Sequence, residues 1–99
     1  MLNINKAVKD GSAVISLEGR LDATNAHELE DAIKEVLPGL TDLTLDFEKL
    51  EYLSSNGLRV LLLAQKAMNE QGSMKVCKVS EPIMEIFEIT GFLDVLTVE

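Results

Sequence analysis

Hydrophobic and polar residues alternate near the start of the chain, as they do in half-buried strands. Leu2 and Ile4 alternate with asparagines, and every second residue from Ala13 to Leu17 is aliphatic. Between these stretches, Asp10-Gly11 is a strong signal for a two-residue hairpin turn. We therefore predict an N-terminal β-hairpin whose second strand ends at Gly19.

After the hairpin, apolar residues recur every three or four positions, which places them on one face of an amphipathic helix. This first helix is expected to be capped by Asp22 or Thr24 and to end at Pro38-Gly39. Alternation with a period of two returns from Thr41 to Glu48 and predicts a third strand. The apolar face of the helix comprises Ala26, Leu29, Ile33, Val36 and Leu37.

The second half of the chain repeats this change of period. The polar run Ser-Ser-Asn-Gly from Ser54 opens a second helix that runs to about Glu70. Because this helix is apolar on most sides, we expect it to be largely buried. The remaining predicted elements are a short fourth strand over Met74–Val79, a third helix from Ser80-Glu81-Pro82 to Gly91, and a last strand over Val95–Val98.

The predicted order is ββαβαβαβ, in which strands and helices alternate after an opening hairpin. Such alternation is typical of α/β folds, and the right-handed crossover rule makes the βαβ units pair in parallel. The hairpin supplies an antiparallel edge. We expect a single domain over residues 1–99, with a mixed, mostly parallel sheet of four to five strands and helices mainly on one face.

Composition narrows the classes of function. The 99 residues are 46% hydrophobic, enough for one core, and carry 17 acidic against 9 basic side chains, a net charge of -8. This balance argues against a nucleic-acid partner, which requires a basic surface. No stretch approaches the roughly 18 apolar residues of a membrane span, and no secretion signal is recognisable. With the single Cys77 and no metal-ligand spacing, we expect a cytoplasmic protein without cofactor or metal.

One local cluster, Tyr52–Arg59, departs from ordinary patterning. Its simplest interpretation is a helix cap, because Ser, Asn and Gly are all favoured there. The alternative is a phosphorylation site, because a hydroxyl at a helix N-terminus lies beside free backbone N–H groups and the positive end of the dipole. Asp46, Glu48 and Glu51 would oppose the added charge, whereas Arg59, one turn further on, would partly offset it.

The cluster belongs to a set of stretches that resembles the STAS family, the bacterial anti-sigma-factor antagonists. The resemblance extends essentially from end to end, and the order and spacing of the stretches make it specific. The matching stretches are LEGRLDA at Leu17–Ala23, LTLDF at Leu43–Phe47, YLSSNGLRVL at Tyr52–Leu61, and Thr90-Gly91-Phe92 in the last helix.

The resemblance implies a switch. Members of this kind bind an anti-sigma factor that is also a protein-serine kinase, free the sigma factor, and lose the binding when a loop serine is phosphorylated; a PP2C-type phosphatase resets them. The phosphorylated serine lies two residues before the loop glycine, which here is Ser55. The family pattern has Asp before this serine and a small residue after it, whereas this chain has Ser54 and Asn56. Ser54 is therefore a second, less favoured candidate.

The resemblance also implies a partner-binding surface. Asp22 matches an acidic position of the family with a role in kinase contact or in shaping that surface; the alternative is the helix cap. The unphosphorylated loop and the first turn of the second helix would complete the surface on a monomer or weak dimer. The implied contact residues are Asp22, Ser54, Ser55, Asn56, Gly57 and Arg59.

The sequence bears on two other classes of function. A STAS-type scaffold or sensor module, without the switch, could bind another signalling protein or a small ligand. A hydrolase built from Ser55, His27 and Asp22 is disfavoured, because the chain has no Gly-x-Ser-x-Gly elbow and no second histidine. A phosphate-binding Gly-Lys-Ser/Thr loop is also absent from the sequence. We therefore expect a binding protein, not an enzyme.

Overall fold

The predicted hairpin forms. The computed structural model describes residues 2–99, in which β1 (Leu2–Lys9) pairs antiparallel with β2 (Ser12–Leu21). Asp10 and Gly11 connect them with φ of 49° and 83°, and positive φ at both turn residues matches the twist of a two-residue hairpin. β2 extends two residues beyond the predicted end at Gly19.

The strands form one sheet in the order β1-β2-β3-β4, in which β2, β3 and β4 run parallel. The predicted mixed, mostly parallel α/β architecture is thus confirmed. The elements after the hairpin are α1 (Ala26–Val36), β3 (Asp42–Leu53), α2 (Ser55–Gln71), β4 (Ser73–Cys77) and α3 (Glu81–Thr90).

The core lies between one face of the sheet and the helices. Every second residue of β2 from Ala13 to Leu17 is buried, as is every second residue of β3 from Leu43 to Phe47, while the residues between them remain at least partly exposed. Phe47 meets Phe87 of α3 with ring centroids 6.4 Å apart. The helices therefore cover one sheet face, as predicted, although Leu63 of α2 stays 45% exposed.

β3 is longer than predicted because it contains two bulges. Between Asp46 and Lys49 it advances three residues while β2 advances two, and between Leu50 and Tyr52 it advances two while β2 advances one. Each extra residue interrupts the alternation, so the predicted strand end at Glu48 is wrong. The bulges carry the strand to the edge of the sheet where α2 begins.

The predicted last strand over Val95–Val98 is also wrong. A 3-10 turn occupies Phe92–Asp94, and the chain then makes a single parallel bridge between Val76 and Val98. The Val76 N–H donates to the carbonyl of Thr97, and the Glu99 N–H donates to the carbonyl of Val76, both at 2.8 Å. After the 3-10 turn, residues 95–98 contribute one bridge to the sheet and do not form a ladder.

β4 ends at Cys77, before the predicted Val79. Lys78 adopts a left-handed backbone with φ of 56°, which interrupts the extended conformation that a strand requires. Lys78 also lies 3.7 Å from Asp46 and 3.9 Å from Glu48, measured from its Nζ to the nearest carboxylate oxygens. The turn thus directs a cation toward the first bulge of β3.

Candidate functional site

The candidate site forms where β2 and β3 end side by side. The backbone N–H of Ser54 donates to the carbonyl of Leu21 at 2.9 Å, which joins the loop after β2 to the start of α2. Because the two strands are parallel, their carboxyl ends lie at the same edge of the sheet. The fold therefore brings Asp22 next to the Ser54–Gly57 segment, although residues 23–53 lie between them in the sequence.

Ser54 is the N-cap of α2, which confirms the capping interpretation for this residue. Its backbone is extended, with φ of -93° and ψ of 173°, and its hydroxyl oxygen accepts the N–H of Gly57 at 3.4 Å. This contact partly satisfies one of the first N–H groups of the helix, which have no partner within the helix itself. The hydroxyl of Ser54 thus has a structural role.

Ser55 is the first residue of α2 and is exposed, as are Asn56 and, one turn further on, Arg59. The first turn of α2 contains no acidic side chain. The positive end of the helix dipole is therefore not offset by a carboxylate of the helix itself. Added negative charge on Ser55 would lie at this end of the dipole, one helical turn before Arg59.

Gly57 is buried where α2 rests on the two strand ends. A Cβ at this position would lie 2.6 Å from Cδ1 of Leu53 and 2.8 Å from Cγ of Leu21. Such distances are shorter than carbon atoms tolerate, so a side chain would push the helix away from the sheet. Gly57, expected among the contact residues, is therefore buried beneath the surface, and its contribution to the site is the close approach that it permits.

The predicted cap of α1 is wrong. The cap position belongs to Asn25, and Oδ1 of Asp22 instead accepts the N–H of Thr24 at 3.0 Å and its hydroxyl at 2.6 Å. These two bonds hold the pKa of the Asp22 carboxyl below its ordinary value, and the bond from the Thr24 hydroxyl lowers it more than the bond from the Thr24 N–H. Asp22 is therefore ionised at neutral pH, in a loop that precedes the helix.

Asn25 is a site residue that the sequence patterns did not indicate. It is only 5% exposed, its Oδ1 accepts the N–H of Asp22 at 2.9 Å, and its Nδ2 donates to the carbonyl of Arg20 at 2.8 Å. The side chain thus bridges both sides of Leu21 and fixes the end of β2. An asparagine directly before the first buried residue of α1 was the available signal.

Arg20 and Tyr52 form a second feature that was not predicted. They are cross-strand neighbours on β2 and β3, and Cζ of Arg20 lies 4.2 Å from the centroid of the Tyr52 ring. Arg20 is exposed, and Tyr52 is 38% exposed. This geometry is a cation–π contact. Its register depends on the bulges of β3, which alternation alone could not locate.

The elements of the disfavoured hydrolase do not form a triad. His27 is exposed on α1, and the hydrogen bonds that Oδ1 of Asp22 accepts come from Thr24.

Cys77 is free and half-buried, and its burial raises the pKa of the thiol, with a smaller contribution from Asp46. Within residues 2–99, no three His, Cys, Asp or Glu side chains lie close enough together to hold a metal ion. Over the same residues, none of the helices combines the length and apolarity needed to cross a membrane.

Comparison with known proteins identifies relatives over nearly the whole chain. A family described as "Mlab, STAS domain" matches residues 4–97. A Bordetella bronchiseptica protein named as an anti-sigma factor antagonist, BtrV, is 37% identical over 91 residues, which cover 90% of this chain and 78% of that protein. An anti-sigma-B factor antagonist of Staphylococcus aureus is 30% identical over 99 residues, covering 98% and 92%. Neither name denotes an enzyme.

Two solved structures of SpoIIAA share the fold at lower identity. SpoIIAA of Bacillus in its phosphorylated form superposes with a TM-score of 0.75 at 19% identity, covering 100% of this chain and 91% of that one. The unphosphorylated form of SpoIIAA, an anti-sigma factor antagonist, superposes with a TM-score of 0.84 at 18% identity, covering 98% and 88%. The similarity shows that the two chains have the same fold.

Proposed function

The chain belongs to the STAS domain family, and on that premise we propose that it is an anti-sigma-factor antagonist controlled by phosphorylation of Ser55. In its unmodified form it binds an anti-sigma factor with serine-kinase activity and thereby releases a sigma factor. The kinase phosphorylates Ser55 and ends the binding, and a PP2C-type phosphatase restores it. The names of its relatives support the antagonist role.

The assignment of Ser55 as the modified residue rests on its contrast with Ser54. Ser54 is partly buried and its oxygen accepts the Gly57 N–H as the cap of α2, whereas Ser55 is exposed at the next position. A kinase needs a hydroxyl that it can approach and that can leave its local contacts without cost to the fold. Ser55 meets both requirements, and Ser54 meets them less well.

The switch would act through local electrostatics. A phosphate on Ser55 adds about -1.5 to -2 charges and three acceptor oxygens, which changes the net charge from -8 to about -10. The charge would fall beside the ionised Asp22, in the middle of the proposed contact surface formed by Asp22, Ser54, Ser55, Asn56 and Arg59. Because Ser55 lies outside the core, binding would be lost while the fold is kept.

A phosphotransfer assay tests the proposal. A purified anti-sigma factor with serine-kinase activity from the same organism is mixed with the protein and ATP, and the modified residue is located by mass spectrometry. We expect phosphate on Ser55 in the wild type and in Ser54→Ala, and none in Ser55→Ala.

Binding provides the second readout. Ser55→Ala should bind the anti-sigma factor about as tightly as the wild type, and Ser55→Asp should bind more weakly. Phosphate on Ser54 alone would overturn the assignment to Ser55. Equal binding by the Asp and Ala variants, together with equal binding by the phosphorylated protein, would overturn the switch.

A second candidate is a STAS scaffold that binds another signalling protein, or a small ligand, without a switch. Two observations favour it: Ser54 stands where the switching family has Asp, and the matching family is described as Mlab. Gene neighbourhood separates the two candidates. An adjacent kinase and sigma factor favour the switch, whereas their absence together with an unmodified Ser55 in cells favours the scaffold.

A further inference from the structure

We propose that Arg20, held over the ring of Tyr52, is a specificity-determining contact that binds a carboxylate of the anti-sigma factor. This inference rests on the proposed function and names a contact of the partner at the same edge of the molecule. It concerns two residues outside the Asp22 and Ser54–Arg59 surface inferred from the family resemblance. The structure supports it in three steps.

The first step is availability. The charge of Arg20 is not consumed by an ion pair within residues 2–99; Cζ instead lies 4.2 Å from the centre of the Tyr52 ring. Within residues 2–99 the side chain of Arg20 donates no hydrogen bond, so the N–H groups of its guanidinium are available to a partner. Four lysines, in contrast, each pair with a carboxylate: Lys6, Lys34, Lys75 and Lys78.

The second step is rigidity. The carbonyl of Arg20 accepts a bond from Nδ2 of the buried Asn25, and the carbonyl of Leu21 accepts the N–H of Ser54. Tyr52 belongs to the bulged end of β3, which pairs with Arg20 in the sheet. These contacts anchor the main chain of both strands, and the cation–π contact holds the Arg20 side chain over the Tyr52 ring before any partner arrives. A group that is already ordered loses less conformational entropy on binding.

The third step is charge complementarity. The protein has a net charge of -8, so a partner surface that opposes it should be largely basic and would tolerate few carboxylates. The exposed guanidinium of Arg20, however, is planar and can donate hydrogen bonds to both oxygens of one carboxylate. One acidic residue placed opposite Arg20 would fix the orientation of the partner. Arginine and tyrosine are also among the residues that contribute most to interface energies.

The test measures dissociation constants with the purified, unphosphorylated protein and the anti-sigma factor used in the phosphotransfer assay. We expect Arg20→Ala and Arg20→Lys to weaken binding, Arg20→Ala by about tenfold or more. Tyr52→Phe keeps the ring and should stay within about twofold, whereas Tyr52→Ala should weaken binding. The double variant Arg20→Ala/Tyr52→Ala should lose less than the sum of the two single losses, because the residues act as a unit.

Lys66→Ala is the matched control. Lys66 is exposed on α2, makes no ion pair within residues 2–99, and its loss changes the net charge by the same amount. Binding by Lys66→Ala should stay within about twofold of the wild type. If Arg20→Ala also binds like the wild type, this inference is overturned while the proposed function stands. If the wild type itself does not bind, the proposed function fails and this inference fails with it.

Discussion

The starts of α2 and α3 look alike in the sequence but differ in what they can do. Each helix follows a parallel strand, and each is preceded by an extended serine, Ser54 for α2 and Ser80 for α3. Ser54 accepts a hydrogen bond from the helix, whereas the side chain of Ser80 makes no such bond. A serine before a helix is therefore insufficient to predict a cap.

The charges of the first turns differ as well. α3 has Glu81 in its first turn, where a carboxylate already offsets the helix dipole, and Pro82, which has no backbone N–H to donate. The first turn of α2 has neither an acidic residue nor a proline, and its exposed Ser55 can accept new negative charge. The residues of the first turn, more than the cap residue, therefore determine whether the start of a helix can serve as a phosphorylation switch.

Substitution of the third residue of each helix should change the free energy of unfolding the most. Ile83 of α3 is fully buried and fills space in the core, whereas Gly57 of α2 must have no side chain. We expect Ile83→Ala to lower the free energy of unfolding by about 2–5 kcal/mol. Gly57→Ala should lower it by about 1–3 kcal/mol, because its Cβ would overlap Leu53 and Leu21. Urea unfolding followed by circular dichroism measures both, and a stabilised Gly57→Ala protein would contradict the close approach.

Removal of the two serine hydroxyls gives a smaller effect that sharpens the comparison. Ser54→Ala should lower the free energy of unfolding by about 1 kcal/mol, since it removes the bond to the Gly57 N–H. Ser80→Ala should change it by about 0.5 kcal/mol or less, since no cap bond is lost. The same unfolding measurement compares the two variants directly. Equal losses would mean that the cap bond of Ser54 contributes nothing.

The smallest expected effect concerns the loop beside α2. The hydrogen bonds from Thr24 lower the pKa of Asp22 in the folded protein, so their contribution to stability is present above the unfolded-state pKa and is lost as pH falls through the folded value. Thr24→Val removes the hydroxyl bond and should raise the pKa of Asp22 toward its ordinary value. Titration of the Asp22 carboxyl carbon by NMR measures this shift. An Asp22 titration that is unchanged in Thr24→Val would contradict the role of the hydroxyl bond.

Alternation and helical spacing were sufficient to predict much of the fold. The hairpin at Asp10-Gly11, the apolar face of α1 and the mixed parallel sheet all follow from local patterns, because each element must bury one regular face. The prediction that α2 is largely buried is right only in part, because Leu63 stays 45% exposed. The errors occur where the chain breaks its period. The bulges of β3 interrupt the alternation before its last five residues, Lys49–Leu53, and after the 3-10 turn at Phe92–Asp94 the expected last strand is reduced to a single bridge at Val98.

The sequence by itself determined the candidate segment: the polar run from Ser54 to Gly57 before an apolar helix, in an acidic chain with STAS-like stretches. Only the tertiary structure decided which residues surround it. Asn25 bridges Arg20 and Asp22, Arg20 lies over Tyr52, and Gly57 rests on Leu21 and Leu53. These contacts join residues from different strands and loops, and their register depends on bulges and on packing, which no local pattern of hydrophobic and polar residues encodes.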